Sequence, residues 1–97
     1  MKSVTFRDNR LEKLEKEDDP AFSEAVTVAF RKRIQVIRAA ADERDFYALK
    51  SHRYEKLKGG RSHQHSMRLN DQFRLILEFE GSGAGKTVVV VGIEDYH

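Results

Sequence analysis

Residues 65–97, HSMRLNDQFRLILEFEGSGAGKTVVVVGIEDYH, decide the fold of this chain. Within them Phe73, Leu75, Leu77 and Phe79 alternate with Arg74, Ile76 and Glu78, the period-2 pattern of a strand with one face buried. Upstream, Met67 and Leu69 alternate with Ser66, Arg68 and Asn70. Between the two runs lies Asn70-Asp71-Gln72, rich in residues that tolerate turn conformations. After Glu80 a flexible connection, GSGAGKT, leads into Val88–Val91, whose continuous β-branched run predicts a central strand buried on both faces.

Parity fixes the hairpin. Cross-strand partners must have position numbers with an even sum if both apolar sets are to share a face. A three-residue loop at 70–72 meets that condition and pairs Leu69 with Phe73, Arg68 with Arg74, and Met67 with Leu75. A two-residue turn does not. Arg68 and Arg74 then stand opposite each other on the face turned from the core. Like charges so placed are mildly destabilising, which makes sense of an anion between them. The alternative is that both are solvated or paired with Glu78.

Outward from this hairpin, residues 2–6 read as a short strand at or near a sheet edge. Arg7 to Asp19, with Leu11 and Leu14 three apart, reads as a short helix. Asp19-Pro20 supplies an N-cap oxygen followed by a proline, predicting a helix from Pro20 to about Ala41. Its apolar stripe is Phe22, Val26, Ala29, Phe30, Ile34, Ile37 and Ala41, with Arg31, Lys32, Arg33 and Arg38 mostly on the other flank. Asp42 to Leu49 is expected as a second helical turn carrying Phe46, Tyr47 and Leu49 inward. Residues 52–58 are a further strand candidate anchored by Tyr54 and Leu57, and Gly59-Gly60 then breaks the chain.

Ninety-seven residues make one domain with a single modest core, over 1–97. The absence of cysteine excludes disulfides and fits a reducing cytoplasm. No apolar run approaches membrane-spanning length, and MKSVTFRDNR has no apolar segment of the kind a secretory signal needs. The net charge is only +2, but its distribution is uneven. Residues 50–74 hold seven basic against two acidic side chains, +5, which leaves −3 for the remainder. Such a patch is the footprint expected for a polyanion partner, the alternative being a solvated charged face.

Two motifs are set aside. GSGAGKT resembles a phosphate-binding P-loop, but its glycines are one residue too close, and a strand rather than a helix follows. His63 and His65, two apart, have a possible metal-ligand spacing without an evident third ligand, and also share parity with Met67 and Leu69 at the end of the core face. The chain closes on Glu94-Asp95-Tyr96-His97. A histidine there can transfer protons near neutral pH and a tyrosine can stack on an unpaired base; a frayed polar terminus is the other reading.

Taken together, Arg53-Tyr54-Glu55-Lys56-Leu57-Lys58-Gly59, Ser66 to Arg74 and the closing Asp95-Tyr96-His97 resemble the plasmid-maintenance killer toxins of HigB type, in the RelE-like superfamily of type II toxin–antitoxin systems. The resemblance runs from Val4 to the end, with its specific motifs in residues 53–97. It implies an α+β fold: a small, mostly antiparallel sheet packed against two or three helices. It also implies ribosome-dependent cleavage of mRNA in the decoding site, no cofactor, and neutralisation by a helix-turn-helix antitoxin. Metal-free RNA cleavage of this kind needs a base on the 2′-hydroxyl, an acid on the departing 5′-oxygen, and cations on the phosphate.

On that resemblance Arg68 and Arg74 suit the phosphate, His97 proton transfer and Tyr96 stacking on or orienting a base, with Asp95 positioning the terminal residues. Lys58, with Lys56, Arg53 and Arg61, belongs to the RNA-binding set. Some relatives carry a histidine, read as a base, where Glu55 stands, so the base is either Glu55 or a histidine. Relatives also often have Asp at the position of Gly60. The competing readings are a non-catalytic RNA- or ribosome-binding module on the same basic patch, and a metal-binding module around His63 and His65.

Overall fold

A computed structural model describes residues 3–83 and 86–95. In chain order its elements are β1 (Val4–Phe6), α1 (Asn9–Leu14), α2 (Glu24–Ala39), α3 (Arg44–Ala48), β2 (Glu55–Lys56), β3 (His65–Arg68), β4 (Phe73–Glu80) and β5 (Thr87–Asp95), with single 3-10 turns at Lys50–His52 and Gly59–Arg61. The strands form one sheet in the order β1-β5-β4-β3-β2. Only β1 and β5 pair in parallel; the other neighbours are antiparallel. The expected α+β architecture is the observed one.

The hairpin has the register that parity demands. Met67 faces Leu75 and Arg68 faces Arg74, and the Leu69 N–H closes on the Phe73 carbonyl at 2.9 Å. The Asn70 side chain holds the loop by accepting from the N–H groups of Gln72 and Phe73 at 2.9 and 2.7 Å, an Asx turn. GSGAGKT connects the antiparallel β4 and β5, whose first pair is Glu80 with Thr87.

All the helices pack on one face of this sheet. Leu11 and Leu14 of α1, Val26, Phe30, Ile34 and Ile37 of α2, and Phe46 of α3 meet Met67, Leu69, Leu75, Leu77, Val88 and Val90 in one core. Burial of these side chains is the main stabilising term.

Four local expectations are corrected. First, α2 begins at Glu24, not Pro20: Ser23 is its cap, accepting from the Val26 N–H at 3.1 Å. Asp19 is engaged elsewhere, by Arg10 at 2.5 and 3.0 Å and by the Ala21 N–H at 2.9 Å. Second, Phe46 is buried, but Tyr47 and Leu49 are exposed by 54% and 42%. Successive helical residues point about 100° apart, which turns Tyr47 away from the side of Phe46, and Leu49 lies past the end of α3 in a non-helical conformation. Third, the strand expected over 52–58 is only Glu55–Lys56, because Arg53 adopts a left-handed φ of 45° and breaks extension before it. Fourth, His63 and His65 do not face the same way. His65 starts β3 on the core side opposite Leu77, while His63 lies before the strand, Nε2 3.7 Å from Glu78 Oε2. Period-2 logic does not extend past the strand's first residue, and the pair cannot jointly face one ion.

Candidate functional site

Among the described residues the opposite sheet face carries no helix, and charged side chains from four strands and three connections converge on it. Three rows of cross-strand neighbours build it. Arg68, Arg74 and Glu94 form one row across β3, β4 and β5. Glu55, Ser66, Ile76 and Gly92 form the next, across β2 to β5. Glu78, Val89 and Thr5 form the third, across β4, β5 and β1.

A β-bulge decides who stands in the first row. The β4–β5 register shifts between Ile76 and Leu77, where Gly92 and Val90 are successive partners and Val91 is the extra residue. The shift puts Ile93 opposite Leu75, toward the core, and Glu94 opposite Arg74, on the helix-free face. Bulges re-aim side chains in this way.

Arg74 is the most enclosed cation of the face. Its side chain is 13% exposed, and Nη1 donates to Ser66 Oγ at 3.2 Å and to the Glu55 carboxylate. Ser66 is itself wholly buried. Across the ladder, Arg68 pairs with Asp71 of the hairpin loop. The two arginines therefore stand opposite each other, each with a carboxylate of its own, while Glu78 serves another cation.

That other cation is Arg7, whose Nη1 and Nη2 donate to Glu78 at 3.0 and 2.9 Å. Gln64 Nε2 adds a donor to Glu78 Oε2 at 2.8 Å. The hydrogen bonds from Arg7, then Gln64, hold the Glu78 carboxyl down at about 2. Gln64 Oε1 in turn accepts from Arg61 Nε at 2.8 Å. Arg61 Nη1 and Nη2 end on Glu94 Oε1 and Oε2 at 2.9 and 2.5 Å. Arg61 is delivered by the 3-10 turn after Lys58, which opens on Gly59 at φ 67°, a conformation that favours glycine.

The remaining candidates are scattered. Lys58 caps that turn and is exposed, as is Arg53 at its left-handed position. Lys56 pairs with His65 and so takes the side of the sheet opposite to Glu55. Asp95 closes β5, its Oδ2 accepting from Gln72 Nε2 at 3.2 Å. Tyr96 and His97 lie outside the described residues.

Sequence reading missed Ser66, Gln64, Arg7 and Glu94 as members of this face. Ser66 was within reach of the hairpin parity, being two residues from Arg68 on the same face. Glu94 was not, because the bulge that turns it leaves no compositional mark. Chemically the face is an array of guanidinium forks. A fork that holds a carboxylate bidentately presents the same geometry to a phosphate, and fixed cations are what a phosphate gaining charge in a transition state requires.

A family model described as the RelE-like toxin of the type II toxin–antitoxin system HigB matches residues 4–97. Among solved structures, the YoeB/ParE toxin from Agrobacterium tumefaciens matches with a TM-score of 0.61 and 15% identity, over 98% of this chain and 99% of that one. At that identity the likeness speaks for the fold. No curated protein matches the sequence.

Proposed function

This chain belongs to the HigB-like toxins, the RelE-like toxins of type II toxin–antitoxin systems, and on that premise we propose that it is a ribosome-dependent endoribonuclease. In this reading the substrate is mRNA in the decoding site, and the nucleophile is the RNA's own 2′-hydroxyl. The 2′-oxygen forms a bond to phosphorus and the bond to the 5′-oxygen breaks. A base takes the hydroxyl proton, an acid protonates the departing oxygen, and no metal is required. The observation that carries the reading is the Arg68–Arg74 pair, directly opposed on the helix-free face, with Arg74 held by Ser66 and Glu55.

Arg68 and Arg74 bind the scissile phosphate and stabilise its growing charge. His97 transfers a proton, Tyr96 stacks on or orients a base, and Asp95 positions both. Glu55, on the Arg74 guanidinium, is the alternative proton acceptor. Lys58, Arg53, Arg61 and Lys56 hold the flanking backbone by charge. The whole of 1–97 acts as one domain in the cytoplasm. A type II toxin has an antitoxin partner, and the partner proposed here is a helix-turn-helix protein. No helix among the described residues is long and apolar enough to cross a membrane.

The test is mRNA cleavage on programmed ribosomes by the intact chain, by a chain lacking Tyr96-His97, and by Arg74→Ala. Cleavage by the intact chain alone is expected. Cleavage that survives loss of the last two residues moves proton transfer to Glu55 or His65. Absence of cleavage by all three, with ribosome binding retained, overturns the nuclease in favour of a binding module.

A further inference from the structure

Arg61 does more than add positive charge. It starts in the connection before β3 and ends on β5, two strands away from β3 in the sheet. Its Nε is anchored to Gln64, beside Glu78 in the third row, and its fork reaches Glu94 in the first. Its hydrogen bonds thus link the third row to the first, on either side of a middle row whose Ile76 is 2% exposed although, among the described residues, no helix covers that face. The clasp does not press on Gly92, where an added Cβ would have no atom within 4 Å. The backing chain Arg7–Glu78–Gln64–Arg61 holds the guanidinium in place. Both ends of the clasp remain reachable, with Arg61 and Glu94 side chains 46% and 45% exposed.

We propose that Arg61, oriented by Gln64, is a second phosphate subsite for RNA, next to the Arg68–Arg74 row, and that Glu94 occupies it in the free protein as an internal stand-in for the phosphate. The geometry favours this over a purely structural ion pair. A bidentate carboxylate on a half-exposed guanidinium fork is replaced by a phosphate with no change of fork geometry. The exchange also places a second backbone phosphate beside the first, at the β5 end of the row that holds Arg68 and Arg74, which gives the strand a direction across the face. Glu94 acts as a threshold: a weak anion does not displace it, while a polyanion held at neighbouring cations does. The inference rests on the RNA-binding reading above and names a new component of it.

The experiment is a double-variant cycle on the full chain, read as binding of a short fluorescent RNA whose 2′-hydroxyls are replaced by hydrogen so that it is not cut. Wild type, Glu94→Gln, Arg61→Gln and the double variant are titrated at several salt concentrations, with Arg74→Ala as the reference for the whole face. Glu94→Gln is expected to bind several-fold more tightly. Its plot of log affinity against log salt is expected to keep the wild-type slope, because RNA displaces Glu94 in wild type too. Arg61→Gln, by contrast, is expected to flatten the plot by about 0.7, the value of one single-strand phosphate contact. The gain in affinity is expected to vanish in the Arg61→Gln background. A Glu94→Gln gain that persists without Arg61 is plain long-range charge and overturns the proposal, as does no gain at all. If wild type binds and Arg74→Ala does not, either result overturns the subsite alone. If no variant binds RNA, the RNA-binding reading falls with it.

Discussion

Arg33 of α2 donates its Nε to the backbone carbonyl of Arg68 at 2.9 Å, so the helix layer is tied to the strand that carries one half of the opposed arginine pair. Burial lowers the Arg33 pKa, and the nearby Arg68 guanidinium lowers it further. The contact has no partner in the helix pattern, where Arg33 reads as an outer-flank cation. Arg33→Met keeps the apolar stem and removes the donor. A hydrogen bond from a charged group is worth about 1.5–3 kcal/mol, and a loss in that range is expected in urea unfolding. Faster hydrogen exchange at Leu69 and Phe73 than at α2 would locate the loss in the hairpin.

Arg74→Lys is expected to fail as a substitute. Lysine keeps the charge but cannot hold Glu55, Ser66 and a phosphate oxygen with one planar fork. Removing one fixed electrostatic donor typically lowers turnover by about 10²–10³, and ribosomal cleavage assays are expected to show a loss of that order. Ser66→Ala removes only an acceptor that steers Arg74, so its loss is expected to fall short of the Arg74 loss. Wild-type cleavage by Arg74→Lys would show that charge alone suffices.

A buried histidine, His52, and a partly buried one, His65, set the response to mild acid. Burial lowers the His52 pKa and Arg33 lowers it further. For His65 burial again dominates, with Glu43 opposing it and Lys56 and Lys86 adding to it. The Nδ1 of each is buried without a hydrogen-bond partner. A base whose native pKa lies below its unfolded value, here 6.5, stabilises the fold fully above that value. The stability drains as pH falls through 6.5 toward the native value. The melting temperature is therefore expected to drop between about pH 7.5 and 5.5, and a His52→Gln, His65→Gln variant to show a flatter profile over the same interval.

Glu78 acts lower on the pH scale. Its carboxyl stands at about 2 against an ordinary 4.5, so the stability it contributes is present above 4.5 and is lost on descent toward 2. Glu78→Gln is expected to remove this second acid step from the melting profile while leaving the histidine step in place. Unchanged unfolding below pH 4.5 would mean that Arg7 and Gln64 contribute no net stability through Glu78.

Phe30 and Tyr47 separate core from surface. Phe30 is fully buried in the α2–sheet core, and Phe30→Ala is expected to cost about 3–5 kcal/mol. Tyr47 is 54% exposed, and its ring meets the Tyr54 ring edge-on at a centroid distance of 4.8 Å. Tyr47→Ala is expected to cost only about 0.5–1.5 kcal/mol, the worth of one aromatic pair. Denaturant midpoints at constant slope decide both.

What the sequence determined by itself is the hairpin and the layer it packs on. Alternation at 73–79 and the three-residue loop force Arg68 opposite Arg74, because a strand's side chains have period 2 and one face must leave water. The valine run required a central strand for a different reason, since a run without polar alternation has to be covered on both faces. Both local rules survive folding because they concern neighbours in sequence. The limits of α2 and the outward Tyr47 were not legible, since a cap is decided by which side chain is free to bond: Asp19 is held by Arg10, which leaves the end to Ser23. Only the tertiary structure decided the ion pairing of the site. Glu55 reaches Arg74 from β2, Arg7 reaches Glu78 from beyond β1, and the extra residue Val91 turns Glu94 out to meet Arg61. These partners lie between 19 and 71 residues apart in the chain. Neither periodicity nor spacing carries information over that range, because sheet order and one bulge, rather than composition, choose which charges become neighbours.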